Sequence, residues 1–117
     1  MSYVDGFVVP VAREKLDAYK AMTRTAGQVW KEHGALAYVE CLGDDVPYGE
    51  RTSFPRAVQA NDDELVIFSW IVYESRAHRD AVCAKVMADP RMKDSMTNMP
   101  FDGRRLIHGG FEMFLQM

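Results

Sequence analysis

The chain is poor in the residues that define disulfide-rich and metal-binding proteins. Its 117 residues include two cysteines, Cys41 and Cys83, and three histidines, and neither cysteine belongs to a CxxC pair or to a cluster with zinc-like spacing. A disulfide framework and a zinc site are therefore not expected, and the sequence predicts neither a metal nor a cofactor. Reduced thiols are typical of a cytoplasmic protein, and the cytoplasm is the predicted location.

Long apolar runs and concentrated charge are also missing. No apolar run approaches the roughly 18 residues that a membrane span requires, and the first residues, MSYVDGFVVPV, lack the basic start and apolar core of a signal peptide. The formal net charge is -3 with no block of like charge, which argues against a nucleic-acid or membrane partner. A length of 117 residues fits one domain, which is predicted to span residues 1–117.

The chain does contain a periodic pattern of two β-α-β units. Apolar alternation and short apolar runs predict strands, whereas apolar residues at 3.6-residue spacing predict helices. The first unit comprises a strand at 3–11, a helix at 13–34 that ends at Gly34, and a strand at 35–44. The second comprises a strand at 64–73, a helix at 75–89 capped by Ser75, a helical turn at 89–96 that starts at Pro90, and a strand at 104–117.

Residues 45–63 separate the two units and match neither period. Two prolines, one glycine and mixed charge predict an irregular excursion, with a short strand at RAVQA, residues 56–60. The order of the elements predicts an α+β, ferredoxin-like βαββαβ fold. In this fold a four-stranded antiparallel sheet carries its helices on one face.

The alternation along the strands predicts what the uncovered face of the sheet carries. In the first, second and last strands, one parity is all apolar and the other is mixed. The apolar sets are predicted to lie under the helices and the mixed sets on the open face. The mixed sets include Tyr3, Asp5, Phe7, Tyr38, Glu40, His108 and Glu112. Phe68 and Trp70 of the central strand are predicted to join them, with Ile67 and Ser69 as the alternative.

A broad, half-apolar sheet face is typical of a partner surface. We therefore expect a symmetric homodimer in which two copies of this face meet.

The same face supplies the candidate site residues. His108, Glu40 and Asp5 are candidate catalytic groups, because a histidine beside a carboxylate in a half-apolar cleft can act as a general acid and base. The alternative is a histidine that only neutralises a buried carboxylate at the dimer interface. The candidate ligand-binding residues are Tyr38, Trp70, Phe68, Glu112, Arg104 and Arg105. The two arginines are expected either to pair with Asp5 and Glu40 or to orient an anionic ligand.

Several stretches resemble one family, in matching order along nearly the whole chain. They are YVDGFVVPV, ECLGDDVP, FSW, VMADPRM and MPFDGRRLIHGGFE. They are similar to the small bacterial YbaA-like proteins, a domain of unknown function within the dimeric α/β-barrel superfamily. The resemblance implies a ferredoxin-like fold and no activity. Monooxygenase-like members of the superfamily tend to carry a histidine inside the second helix, where this chain has Val82 and Cys83.

Three functions are compatible with these observations. The first is binding of a small molecule in a cleft on the sheet face of a homodimer. The first alternative is a cofactor-free enzyme, monooxygenase-like or isomerase-like, that uses a histidine/carboxylate pair. The second alternative is a non-catalytic dimeric protein with a structural or stress-related role. A cavity lined by convergent polar groups beside His108 would favour the first two.

Overall fold

The computed structural model describes residues 2–95 and 97–117. Met1 and Met96 lie outside the described residues, and Met96 is the last residue of the helical turn predicted at 89–96. The elements in chain order are β1 (Tyr3–Ala12), a 3-10 helix (Arg13–Lys15), α1 (Leu16–Glu32), β2 (Ala37–Leu42), α2 (Phe54–Ala57), β3 (Glu64–Tyr73), α3 (Arg76–Ala88), α4 (Pro90–Ser95) and β4 (Ile107–Glu112). Within the described ranges, no helix is long and apolar enough to cross a membrane.

The four strands form one antiparallel sheet in the order β2-β3-β1-β4. The central pair, β1 and β3, runs in register from Tyr3 opposite Tyr73 to Ala12 opposite Glu64. Helices α1 and α3 cover one face, where Val29 and Val86 join the core cluster that contains Tyr73. This topology confirms the predicted α+β, ferredoxin-like fold, and the strand order brings the two β-α-β units into one sheet.

The ends of the two long helices follow their sequence signals. Gly34 adopts a φ of +118°, a conformation that favours glycine, directly after α1. The hydroxyl of Ser75 accepts a hydrogen bond from the backbone N–H of His78 at 3.1 Å, as expected of an N-cap. Both predicted helix boundaries therefore have a local physical cause.

The prediction of a strand at residues 56–60 is wrong. The segment begins inside the four-residue helix α2, and the hydroxyl of Ser53 accepts a hydrogen bond from the N–H of Arg56 at 3.1 Å. Pro55 stands in the first turn of this helix. A serine cap followed by proline favours the start of a helix, and these two signals outweigh the alternation that suggested a strand.

The last strand is shorter than predicted, because Arg104 and Arg105 lie in a turn around Asp102 rather than in β4. The Asp102 carboxylate accepts hydrogen bonds from the Arg104 N–H at 3.0 Å and the Arg105 Nε–H at 3.1 Å. Arg105 also donates to both carboxylate oxygens of Glu64 at 2.7 Å, which holds the pKa of Glu64 below its ordinary value. The expected pairing of these arginines with Asp5 or Glu40 is therefore wrong.

The two faces of the sheet are the reverse of the prediction. Residues of the mixed parity, among them Tyr3 and Tyr38, pack in the core beneath the helices. They are joined from β3 by Ile67 and Ile71, the parity that was the alternative for this strand. Polar groups can occupy a covered face when each finds a hydrogen-bond partner, so a mixed parity does not by itself indicate an exposed face.

Apart from Glu64 at the start of β3, the open face carries apolar residues from every strand. Its larger members are Val4, Val8, Val39, Cys41, Phe68, Trp70, Val72, Ile107 and Phe111. Phe68, Ile107 and Phe111 retain 42%, 45% and 61% of their exposure. Phe68 and Trp70 pack edge to face with ring centroids 5.5 Å apart. Because Tyr38 is paired with Ile71 and Trp70 with Val39, both rings lie on the opposite side of the sheet from Tyr38. The prediction that they share a face with Tyr38 is wrong.

Asp5 is buried under the helices and is neutralised by an arginine that the sequence did not single out. Arg79 of α3 donates to Asp5 Oδ1 at 2.6 Å, and its guanidinium lies 5.0 Å from the centroid of the Tyr3 ring. The Asp5 side chain retains 11% of its exposure and the Arg79 side chain 21%. This ion pair joins α3 to the central strand β1.

We predict that Arg79→Met destabilises the protein by about 2 kcal/mol, less than the 3–5 kcal/mol of a fully buried pair, because Asp5 would stay buried without a cation. Urea unfolding measures the loss, and Arg76→Met is the matched control, since Arg76 is exposed on the same helix. Adding Asp5→Asn to Arg79→Met should recover part of the loss, because no unpaired charge then remains. If Arg79→Met and Arg76→Met had equal free energies of unfolding, this role for the Asp5–Arg79 pair would be contradicted.

Candidate functional site

An apolar cavity of about 180 Å³ lies between the covered face of the sheet and the helices. Its floor is formed by side chains of the three strands β1, β2 and β3: Phe7, Val9, Tyr38, Glu40, Ser69 and Ile71. One wall is the inner face of α1, which contributes Tyr19, Met22, Thr23, Ala26 and Trp30. The remaining wall comes from the end of α3, which contributes Met87, and from the region after it, which includes Met92, Met99 and Phe101. Flexible methionines and flat rings thus surround most of the space.

Glu40 is the only carboxylate in the lining of this cavity, and two tyrosine hydroxyls hold it. Tyr19 donates to Glu40 Oε1 at 2.9 Å, and Tyr38 donates to Glu40 Oε2 at 2.9 Å. Burial raises the pKa of Glu40 above its ordinary value, and the two hydrogen bonds offset only part of that rise. Glu40 belongs to none of the ion pairs in the described part of the chain.

The two tyrosines are fixed donors. Burial and the neighbouring Glu40 carboxylate raise the pKa of Tyr19 and of Tyr38, so both phenols keep their protons at neutral pH. Successive side chains of a β-strand point to opposite faces of the sheet. Tyr38 and Glu40 are two residues apart on β2 and therefore point to the same side. Tyr19 reaches the same carboxylate from the buried stripe of α1.

Gly27 allows the Tyr38 ring to lie directly against α1. A methyl group at Gly27 would come within 3.1 Å of Tyr38 Cδ1, which is tighter than ordinary van der Waals contact. The ring of Tyr38 also packs against that of Trp30, with centroids 6.0 Å apart. Trp30 in turn donates its indole N–H to the Tyr73 hydroxyl at 3.1 Å. A glycine that weakens the helix locally thus brings β2 close to α1 at the site.

An open, basic groove lies on the outer side of Glu40. It occupies about 550 Å³ between α1 and the edge strand β2. Lys20, Arg24 and Lys31 line it from the helix, and Tyr38 and Glu40 line it from the strand. Glu40 and Tyr38 therefore separate an apolar cavity from a groove that can accept an anionic group.

His108 does not reach a carboxylate. The sheet register places His108, Phe7, Ser69 and Glu40 in one row across four strands. At about 4.8 Å per strand, His108 and Glu40 are roughly 14 Å apart. His108 is exposed and stacks on Phe7, with ring centroids 6.1 Å apart. The predicted histidine/carboxylate pair is therefore not formed, and the cavity lies beside Glu40 instead of beside His108.

The remaining candidate residues lie outside the cavity. Glu112 is exposed in β4, opposite Tyr3 of β1. The Arg104 side chain retains 94% of its exposure, and Arg105 is engaged by Glu64 and Asp102. Of the candidate catalytic and ligand-binding residues, only Glu40 and Tyr38 line the cavity. Among the described residues, no group of three or more His, Cys, Asp or Glu side chains could hold a metal ion.

Sequence reasoning missed the helix half of the site. Tyr19, Met22, Ala26 and Trp30 belong to the apolar stripe of α1, and none of them was among the candidate site residues. The signal that could have found them is the pair of polar-tipped aromatics, Tyr19 and Trp30, on a stripe that faces a strand with an interior glutamate. Such side chains have a hydrogen-bond partner when they are buried.

The fold is shared with solved structures of low sequence identity. Rv0793 from Mycobacterium tuberculosis superimposes with a TM-score of 0.62 and 11% identity, covering 99% of this chain and 98% of that one. SnoaB from Streptomyces nogalater, a cofactor-independent oxygenase, gives a TM-score of 0.60 and 9% identity, covering 99% and 96%. These likenesses establish the class of the protein as a ferredoxin-like α+β fold and carry no reaction with them.

Sequence comparison then gives the family. The family described as "Protein of unknown function (DUF1428)" matches residues 2–103. The Escherichia coli protein named "Uncharacterized protein YbaA" is 53% identical over 115 residues, which cover 98% of each chain. The chain therefore belongs to the DUF1428 family, and the predicted resemblance to YbaA-like proteins is confirmed.

We predict that Glu40→Gln becomes more stable than the wild type as the pH rises. Since the folded-state pKa of Glu40 lies above its unfolded value, the wild type loses stability as the pH rises through that window. The amide stays neutral and can still meet both tyrosine hydroxyls. Melting temperatures from pH 4 to 8 should therefore agree at the acidic end and diverge above it. Glu112→Gln, at an exposed carboxylate, is the control, and a divergence of equal size there would contradict the assignment.

Proposed function

We propose that the chain binds a small, flat and mainly apolar molecule with one hydrogen-bonding group in the cavity of Glu40, Tyr19 and Tyr38. The single observation that carries this proposal is the arrangement of the lining, in which polar atoms converge at Glu40 within otherwise apolar walls. Ligand sites are commonly apolar hollows with a few placed polar groups. The four methionines of the walls can adapt to the outline of a ligand.

The dimensions limit the ligand to about the size of one or two fused rings. The rings of Trp30, Tyr38 and Phe101 line the space, which favours a planar occupant that can stack against them. An anionic substituent is compatible with the outer groove, where Lys20 and Arg24 lie beside Glu40. Glu40 and the tyrosine hydroxyls would bind the hydrogen-bonding group of the ligand.

We also propose that the protein is a cytoplasmic homodimer of one-domain protomers, joined through the open face. The strands place a single charged residue on that face, Glu64 at the start of β3, and Arg105 pairs with it. Phe68, Ile107 and Phe111 are exposed on the same face. Four strands of six to ten residues give at most about 400–600 Å² in projection, against the about 800 Å² that each partner contributes to a standard interface. One end of the face is already covered within the chain, since Pro10 and Val66 are buried and Phe54 packs against Phe68. A second copy supplies a matching apolar surface by symmetry.

Filling the cavity should abolish binding. We predict that Ala26→Leu lowers the affinity for 2-naphthol, a flat ring system with one O–H group, at least tenfold in isothermal titration calorimetry. The leucine occupies existing space, so the free energy of unfolding should change by less than about 1.5 kcal/mol. Ala21→Leu, on the exposed side of the same helix, should leave the affinity unchanged. Binding that survives Ala26→Leu, or no binding by the wild type, would refute the proposed site.

Charge on the open face should dissociate the dimer. We predict that Phe68→Lys converts the protein from dimer to monomer in sedimentation velocity at micromolar concentration, because a lysine in the interface would lack a partner. Leu42→Lys is the matched control, since Leu42 is 44% exposed, against 42% for Phe68, and its parity points to the other side of the sheet. A wild-type monomer, or a dimer that tolerates Phe68→Lys, would rule out this interface.

A further inference from the structure

We propose that Glu40 is a general base that takes a proton from a weakly acidic C–H or O–H group of a planar, conjugated ligand in the cavity. This inference rests on the binding function proposed above and adds a reaction to it. The role belongs to Glu40 alone, in place of a histidine/carboxylate pair.

The geometry leaves the carboxylate available to a ligand. Each oxygen of Glu40 accepts one tyrosine hydrogen bond, from Tyr19 or from Tyr38, and a carboxylate oxygen can accept two. The second lone pairs are therefore not used by these contacts. Glu40 lines the cavity as well as the outer groove, so a ligand in the cavity would lie directly against its carboxylate.

The surroundings favour proton uptake. A carboxylate in an apolar wall, without a paired cation, is less stabilised as an anion than one in water and is a stronger base. The charged and titratable groups that face Glu40 are Tyr19, Lys20, Arg24 and Lys31 from α1 and Tyr38 from its own strand. The neighbouring residue on β3 is Ser69, which does not titrate in this range.

The tyrosines can stabilise the charge that develops on the ligand. As the C–H bond breaks, its proton forms an O–H bond with Glu40, and its electron pair moves into the conjugated system of the ligand, ending on an oxygen. Neutral Glu40 binds the phenols less strongly than the carboxylate does, so Tyr19 or Tyr38 can donate to the new oxyanion. Return of the proton to a different carbon completes an isomerisation, which needs no oxidant and no further reactant. The substrate class is therefore small, planar, enolisable carbonyl compounds.

The experiment uses 5-nitrobenzisoxazole, a flat molecule whose ring opens when a base removes its one acidic C–H proton. The electron pair of the C–H bond forms the nitrile as the N–O bond breaks, which gives a coloured cyano-nitrophenolate as the one product without any other reactant. The wild type should turn it over faster than buffer, with kcat/KM rising with pH to a plateau. Glu40→Gln should lower kcat at least 100-fold with little change in KM, and Glu112→Gln should match the wild type.

The Tyr38→Phe variant distinguishes a change in the basicity of Glu40 from a defect in folding. Loss of one hydrogen bond to the carboxylate should move the midpoint of the pH profile upwards, which a purely structural defect would not do.

Competition by 2-naphthol reports binding independently of turnover. If 2-naphthol binds but Glu40→Gln is as active as the wild type, or the wild type is inactive, the base is wrong and the binding site stands. If 2-naphthol does not bind and nothing turns over, both proposals fail. Should Glu40→Gln not fold, an unshifted pH profile in Tyr38→Phe overturns the inference.

Discussion

Two helices can cover only one face of a four-stranded sheet, and most of this structure follows from which face they cover. The helices lie over the strand residues that carry Asp5, Tyr38 and Glu40, and they leave the purely apolar residues uncovered. The covered face can hold polar groups because each has a partner. On the open face the strands place one charged residue, Glu64, and Arg105 pairs with it. The arrangement therefore creates an apolar cavity with one carboxylate inside the molecule and a largely apolar surface outside it.

The order of strands and helices could be predicted because each element has a local signal. The apolar run of β3, the stripe of α1, the stop at Gly34 and the cap at Ser75 all depend on residues close together in the chain. The prediction of a short strand at residues 56–60 was wrong for a reason that is also local, because the cap at Ser53 and Pro55 outweighed a weak alternation. Local patterns thus determine the topology and leave the assignment of the faces open.

The faces and the site depend on pairs that are distant in sequence. Asp5 meets Arg79, 74 positions away, and Glu40 meets Tyr19, 21 positions away. Without knowledge of these partners, a strand with interior carboxylates resembles an exposed strand, which is why the sheet was predicted with its faces reversed. The same uncertainty placed Trp70 in the site and omitted Trp30, although Trp30 is the tryptophan that lines the cavity.

The two interior carboxylates are compensated in different ways, and this difference marks the site. Asp5 has a guanidinium at 2.6 Å and is not among the residues that line the cavity. Glu40 has only neutral phenols at 2.9 Å and faces open volume. Two tyrosines in place of a guanidinium leave the carboxylate without a paired positive charge, which makes it more basic. Glu40 is therefore a half-buried carboxylate without a paired cation among the described residues, and it lies beside a cavity. Local departures of this kind from stable packing are expected at functional sites.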